Sequence, residues 1–222
     1  MQRLVFATFL TACLAHLTFA QNTSTDAYPK IEVYAGYLYS HDAPYTVFDF
    51  GQGIMIESSF ATHHGLEAAV IGNVNKYLGF KADFSAHFHH DEFTANACLS
   101  PCVNTPIVKQ PAELNPRLFN FLGGPEFKKR NHTKFTPFVY ALFGMAHARA
   151  TFKTSGSAFT LIAERSENGF AMAFGGGVDI RLARRFSLRA SGDYNPAWVG
   201  RDDDGARQRQ NDIRVSLGVL FH

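Results

Sequence analysis

Residues 170–182, FAMAFGGGVDIRL, alternate one by one between apolar positions and small or charged ones. Phe170, Met172, Phe174, Gly176, Val178, Ile180 and Leu182 form one set; Ala171, Ala173, Gly175, Gly177, Asp179 and Arg181 form the other. Successive side chains of a strand point to opposite faces, so the segment predicts a strand with one apolar face and one tiny or ionic face. The same period of two recurs about eight times along the chain. A soluble sandwich also alternates, but it turns the apolar face inward. Behind an export signal, the recurrence predicts an all-β fold, an eight-stranded antiparallel transmembrane barrel with lipid outside and a packed polar interior.

The predicted strands lie at about 30–40, 65–74, 78–89, 117–129, 135–149, 170–182, 185–195 and 212–221. Residues 78–89 are as clear as the opening example: Leu78, Phe80, Ala82, Phe84, Ala86 and Phe88 face out, and Gly79, Lys81, Asp83, Ser85, His87 and His89 face in. Residues 135–149 are apolar on both faces; Val139, Ala141, Phe143 and Met145 are assigned outward, Tyr140 and Gly144 inward. Connections after the second, fourth and sixth strands are tight, at 75–77, 130–134 and 183–184. Those after the first, third, fifth and seventh are long, at about 41–64, 90–116, 151–168 and 196–211. Strict alternation of this kind predicts short periplasmic turns and long extracellular loops. Tyr37, Tyr39, Phe88, Phe119, Phe170 and Tyr194 fall at the outer strand ends; Tyr77, Phe127, Phe135, Phe186 and Phe221 fall at the inner ends. Two such belts are expected at the two membrane interfaces.

Residues 1–20 read as a cleaved signal peptide: Arg3, an apolar run from Leu4 to Ala15, then Thr18-Phe19-Ala20 at the cleavage position. The lipoprotein-like box Leu10-Thr11-Ala12-Cys13 is the weaker alternative, because Leu14 to Ala20 stays largely apolar after it. Residues 21–29 form a linker and 30–222 the barrel domain. The chain carries 21 basic and 19 acidic residues, and losing Arg3 leaves 20 against 19. Near-neutrality argues against a nucleic-acid partner. Cys98 and Cys102, in Cys-Leu-Ser-Pro-Cys, predict a small loop disulfide in an oxidising compartment; no second pair completes a metal site.

An eight-stranded lumen holds side chains but no wide channel. Assigned inward are seven acids, Glu32, Glu67, Asp83, Glu126, Asp179, Asp193 and Asp212, and six bases, Lys81, Lys128, Arg181, Arg185, Arg189 and Arg214. Unpaired charges in a narrow lumen are costly, so the near balance predicts an ion-paired plug. Gly175 and Gly177 are expected to leave space for long neighbouring side chains.

The segments Asn73-Val74-Asn75-Lys76-Tyr77-Leu78-Gly79 and Ala82-Asp83-Phe84-Ser85 resemble the small OmpA-like outer-membrane β-barrel family of Gram-negative bacteria. So do Thr136-Pro137-Phe138, residues 175–179, Asp193-Tyr194 and residues 214–219. The resemblance covers roughly residues 30–222 and implies a barrel, not a chemistry. It implies outer-membrane lipid and lipopolysaccharide as surroundings, and the barrel-assembly machinery as a partner of the C-terminal strand, where Phe221 is followed by His222. A monomer without a cofactor is expected.

His87 and His89 share a strand face beside His90, Asp91 and Glu92; solvated rim residues are the plainer reading and metal or proton sensing the sharper one. Lipid hydrolysis needs a serine and a histidine in reach, and Ser85 and His87 qualify by spacing but face the lumen. The acidic run Asp202-Asp203-Asp204 reads as a solvated hairpin, and residues 158–163 as an apolar piece that extends strands above the membrane or touches a partner. The sequence thus predicts a structural or surface-interaction role. A narrow ion channel ranks second and an enzyme third.

Overall fold

A computed structural model describes residues 28–42, 47–49, 55–57, 62–89, 91–97, 108–131, 133–155, 160–199 and 209–222. The predicted signal peptide, most of the linker, Cys98, Cys102 and residues 202–204 lie outside them. The described elements are all strands: β1 (Ile31–Asp42), β2 (Val47–Asp49), β3 (Met55–Glu57), β4 (Thr62–Asn73), β5 (Leu78–Phe88), β6 (Asp91–Ala97), β7 (Val108–Lys128), β8 (Phe135–Ser155), β9 (Thr160–Arg181), β10 (Phe186–Trp198) and β11 (Gln210–Phe221). Eight of them close a ring in the order β1-β4-β5-β7-β8-β9-β10-β11, and β11 pairs back onto β1. Every neighbouring pair is antiparallel. Closure leaves no free edge at membrane depth, which is what hydrocarbon demands of a sheet.

Alternation does set the faces. Along β4 every second residue is buried from His63 to Asn73, while Leu66 and Val70 are exposed. On β8, Phe135, Val139, Phe143 and Met145 are exposed, and Phe138, Tyr140, Leu142 and Ala146 are buried. Ten residue steps from Phe135 to Met145, at about 3.3 Å each and a tilt near 40°, give an apolar band about 25 Å tall. The tight turns are held by local chemistry. Asn75 Oδ1 accepts from Tyr77 N at 2.8 Å and from Leu78 N at 2.9 Å, an Asx turn that reverses the chain between β4 and β5.

Three strands are much longer than predicted. β7 and β8 have 21 residues and β9 has 22, whereas a crossing takes about 9–11. Much of the expected loops 90–116 and 151–168 is therefore strand. β6 continues β5 in the same register on β7, Phe88 facing Arg117 and Asp91 facing Leu114. The upper parts of β7, β8 and β9, with β6, rise as a sheet beyond the membrane. Residues 160–163 belong to it, as the strand-extension reading expects.

The interior also departs from a uniformly polar one. A buried apolar cluster lines the β7–β10 wall: Leu118, Leu122, Phe138, Tyr140, Leu142 and Ala146, with Ala171, Ala173 and Ala197. Gly175 and Gly177 make room chiefly for backbone, not for the long side chains expected. A Cβ on Gly177 would collide with the carbonyl oxygen of Ala190, and one on Gly175 with Gly192 O and the Asp193 side chain. These glycines let β10 approach β9 closely.

Candidate functional site

The ionic side chains of the lumen fall into two groups. The inner group, nearest the tight turns, centres on Arg189 of β10, 1% exposed. Register places Arg189 directly opposite Asp179 on β9. The guanidinium grips that carboxylate with two bonds, Nε to Oδ1 at 2.6 Å and Nη2 to Oδ2 at 2.8 Å. Its remaining donors reach Glu126 on β7 at 3.2 and 3.3 Å. The Phe138 ring lies beneath it, 4.1 Å from centroid to guanidinium carbon. Lys128 sits 3.0 Å from Glu126 and 3.7 Å from Asp179, and it bonds Glu32 of β1 across the lumen. Arg130 reaches Glu32 at 3.1 Å. Three carboxylates thus face three cations.

The middle group holds Lys81 between Glu67 and Asp83, at 2.8 Å from each. Arg214 lies opposite Asp193 in the register and bonds it at 2.6 Å. Tyr140 donates to the other oxygen of Asp193 at 2.6 Å, and Arg214 donates to Ser85 Oγ at 3.0 Å. The outer layer is built of polar side chains, with Asp212 opposite Asn195 in the ladder. The ring nitrogens of His87 lie 3.1 Å from Ser40 Oγ and 3.2 Å from Ser85 Oγ, and Asn120 Nδ2 donates to Asn195 Oδ1 at 3.2 Å.

Of the thirteen residues assigned to the lumen network, eleven are buried. Glu32, Glu67, Lys81, Asp83, Glu126, Lys128, Asp179, Arg189, Asp193 and Arg214 form the ion pairs above, and Asp212 is buried beside them on β11. Arg181 and Arg185 do not join: both are exposed at the turn end. Their parity is right for β9 and β10, but they sit where the lumen opens to water, and solvating a guanidinium there costs less than burying it. Two unassigned residues do join. Arg130 continues the inward parity of Lys128, and His222 continues that of Leu220, with Nδ1 3.2 Å from Glu32 Oε1 and Nε2 2.7 Å from Ser187 Oγ. Extending each strand's parity one step past its end finds both.

His87 and His89 have separate attachments. His89 Nδ1 donates to Thr62 O at 2.8 Å, and its ring packs against His63 with centroids 4.9 Å apart. Among the described residues no group of three or more His, Cys, Asp or Glu side chains could hold a metal ion. Ser85 and His87 are in hydrogen-bond reach, yet they are 0% and 1% exposed, and the far nitrogen of His87 meets Ser40 in place of a carboxylate.

A family model described as outer membrane protein beta-barrel domain matches residues 6–221. Among solved structures, Ail of Yersinia pestis, in complex with the heparin analogue sucrose octasulfate, aligns at a TM-score of 0.51 and 16% identity, covering 87% of this chain and 99% of that one. Neisserial surface protein A aligns at 0.47 and 12% identity, covering 87% and 97%. The outer membrane protease OmpT of Escherichia coli aligns at 0.48 and 8% identity, covering 90% and 99%. The likeness to Ail shows the fold alone. A search of curated proteins found no match.

Proposed function

Since this chain belongs to the outer membrane protein beta-barrel domain family, we propose that it serves as a closed structural barrel of the outer membrane, whose raised β6–β9 sheet is the surface offered to partners. The observation that carries this reading is the inner ionic group. Lys128 to Glu32 joins β7 to β1, and Arg189 to Glu126 joins β10 to β7, so both bridges cross the lumen rather than follow one wall. With Phe138 under the guanidinium, they support an occluded path. A non-enzymatic role is supported by the burial of Ser40, Ser85 and His87, which keeps their serine–histidine contacts away from lipid. We expect β11, which completes the ring against β1, to be the strand that the assembly machinery engages, and residues 1–20 to be removed on export.

Conductance in a planar bilayer tests the closed lumen. Refolded wild-type protein, shown to be inserted, is expected to be silent. Arg189→Ala is expected to open reproducible small steps, because it removes the group that bridges β9, β10 and β7. Steps of equal size in wild type and variant would replace this reading with a narrow channel whose path avoids the inner group.

A further inference from the structure

The lipid-facing side of β7 and β8 carries two arginines directly opposite each other. Arg117 pairs with Arg149 in the ladder, and both are exposed. Like charges opposed across a sheet destabilise it unless an anion lies against them. Arg149 reaches Glu164 at 2.6 Å, with both side chains about half exposed, a weak engagement in water. Among the described residues no carboxylate is within ion-pair distance of Arg117.

Their depth is fixed by the rows around them. One row toward the membrane, the outward residues of β7 and β8 are Phe119 and His147, their rings stacked with centroids 6.4 Å apart. Phe88, opposite Arg117 on β5, meets Phe119 edge-on at 6.3 Å. Below them Phe84 and Phe121 pack at 5.0 Å, both exposed. One row farther out, the outward residues are Asn115 and Thr151. The arginines therefore occupy the first polar row above the outer aromatic belt, the level at which a bilayer places its headgroups.

We propose that Arg117 and Arg149 form a binding site for a phosphorylated lipid of the outer leaflet, with the phosphate between the two guanidiniums and the acyl chains along Phe88, Phe119, Phe84 and Phe121. Two planar forks presenting N–H donors suit a phosphate better than a carboxylate, since the tetrahedral anion can take a bidentate pair from each side. The adjoining rings supply the apolar surface that an acyl chain needs and a free anion does not. The site stands or falls independently of whether the lumen conducts.

The test offers the refolded barrel three probes: bisphosphorylated lipid A, the same lipid A after phosphatase treatment, and inorganic phosphate. Native mass spectrometry counts what is retained. Wild type is expected to hold one phosphorylated lipid and to lose it on dephosphorylation of the probe. Arg117→Gln with Arg149→Gln is expected to weaken retention at least about tenfold, the loss of one charge-assisted interaction. Lys153→Gln, two rows farther out on the same face of β8, serves as the control and is expected to bind as wild type. The Arg117→Lys, Arg149→Lys pair keeps the charge without the forks and is expected to bind between the two. Equal retention by the glutamine variant, equal binding of dephosphorylated lipid, or inorganic phosphate binding as tightly as lipid would each overturn the proposal.

Discussion

At the scale of single residues, the lumen is governed by one asymmetry. Replacing a buried ion pair by apolar groups can be neutral, but removing one partner strands the other. Arg189 is the sharpest case, because it alone satisfies both oxygens of Asp179 and also contacts both oxygens of Glu126. Arg189→Met fills a similar volume yet leaves two buried carboxylates short of a cation, and should cost about 3–5 kcal/mol. Reversible guanidinium unfolding in lipid vesicles measures this, and a loss under about 1 kcal/mol, the range of exposed pairs, would mean that water reaches the carboxylates. Most of this network was legible from sequence, because parity alone decides which charges face inward. Arg181 and Arg185 show where parity stops being enough. Facing inward means burial only while the strand is inside the lumen, and the alternation of a strand does not announce its last enclosed residue.

At the scale of elements, β8 shows what binary patterning cannot read. Both of its faces are apolar, one against lipid and one against the buried cluster of Leu118, Leu122, Ala171 and Ala173. Polarity therefore does not separate its faces, and size does not either: Phe138, Tyr140 and Leu142 on the inner parity are as large as Val139, Phe143 and Met145 on the outer one. The same limit hid the length of β7, β8 and β9. Above the hydrocarbon layer the outward residues become polar, Arg117, Arg149 and Thr151, while Leu114, Ala150 and Phe152 remain buried inside. The apolar face thus changes sides, and a search for outward apolar residues ends the strand too soon. The inner apolar wall predicts a packing cost distinct from that of the ionic groups. Leu142, 0% exposed, should lose about 2–5 kcal/mol on change to Ala, through lost transfer and the cavity left behind. The same unfolding assay checks it, and a loss near zero would show that the lumen collapses or fills with water there.

At the scale of the whole molecule, the bridges that cross the lumen join strands that are not neighbours in the ring. Lys128 ties β7 to Glu32 on β1, and Arg214 ties β11 to Ser85 on β5. A barrel held only by its ladder could lose one seam while the opposite wall stayed paired. Here opening any seam near these contacts strands a buried charge elsewhere, so the ring should unfold as one unit. A double-mutant cycle on Lys128 and Glu32 should return a coupling of about 1–3 kcal/mol. The same cycle on the exposed pair Arg165 and Glu167 should return no more than about 1 kcal/mol. Trp198, at the outer end of β10, reports fluorescence far from the inner group, whereas far-ultraviolet circular dichroism reports all strands together. Coincident unfolding transitions by the two probes are expected in wild type. Separate transitions, together with a Lys128–Glu32 coupling no larger than that of the exposed pair, would show that the lumen contacts fill space without linking the walls, and the closed barrel would then owe its cooperativity to the ladder and the bilayer alone.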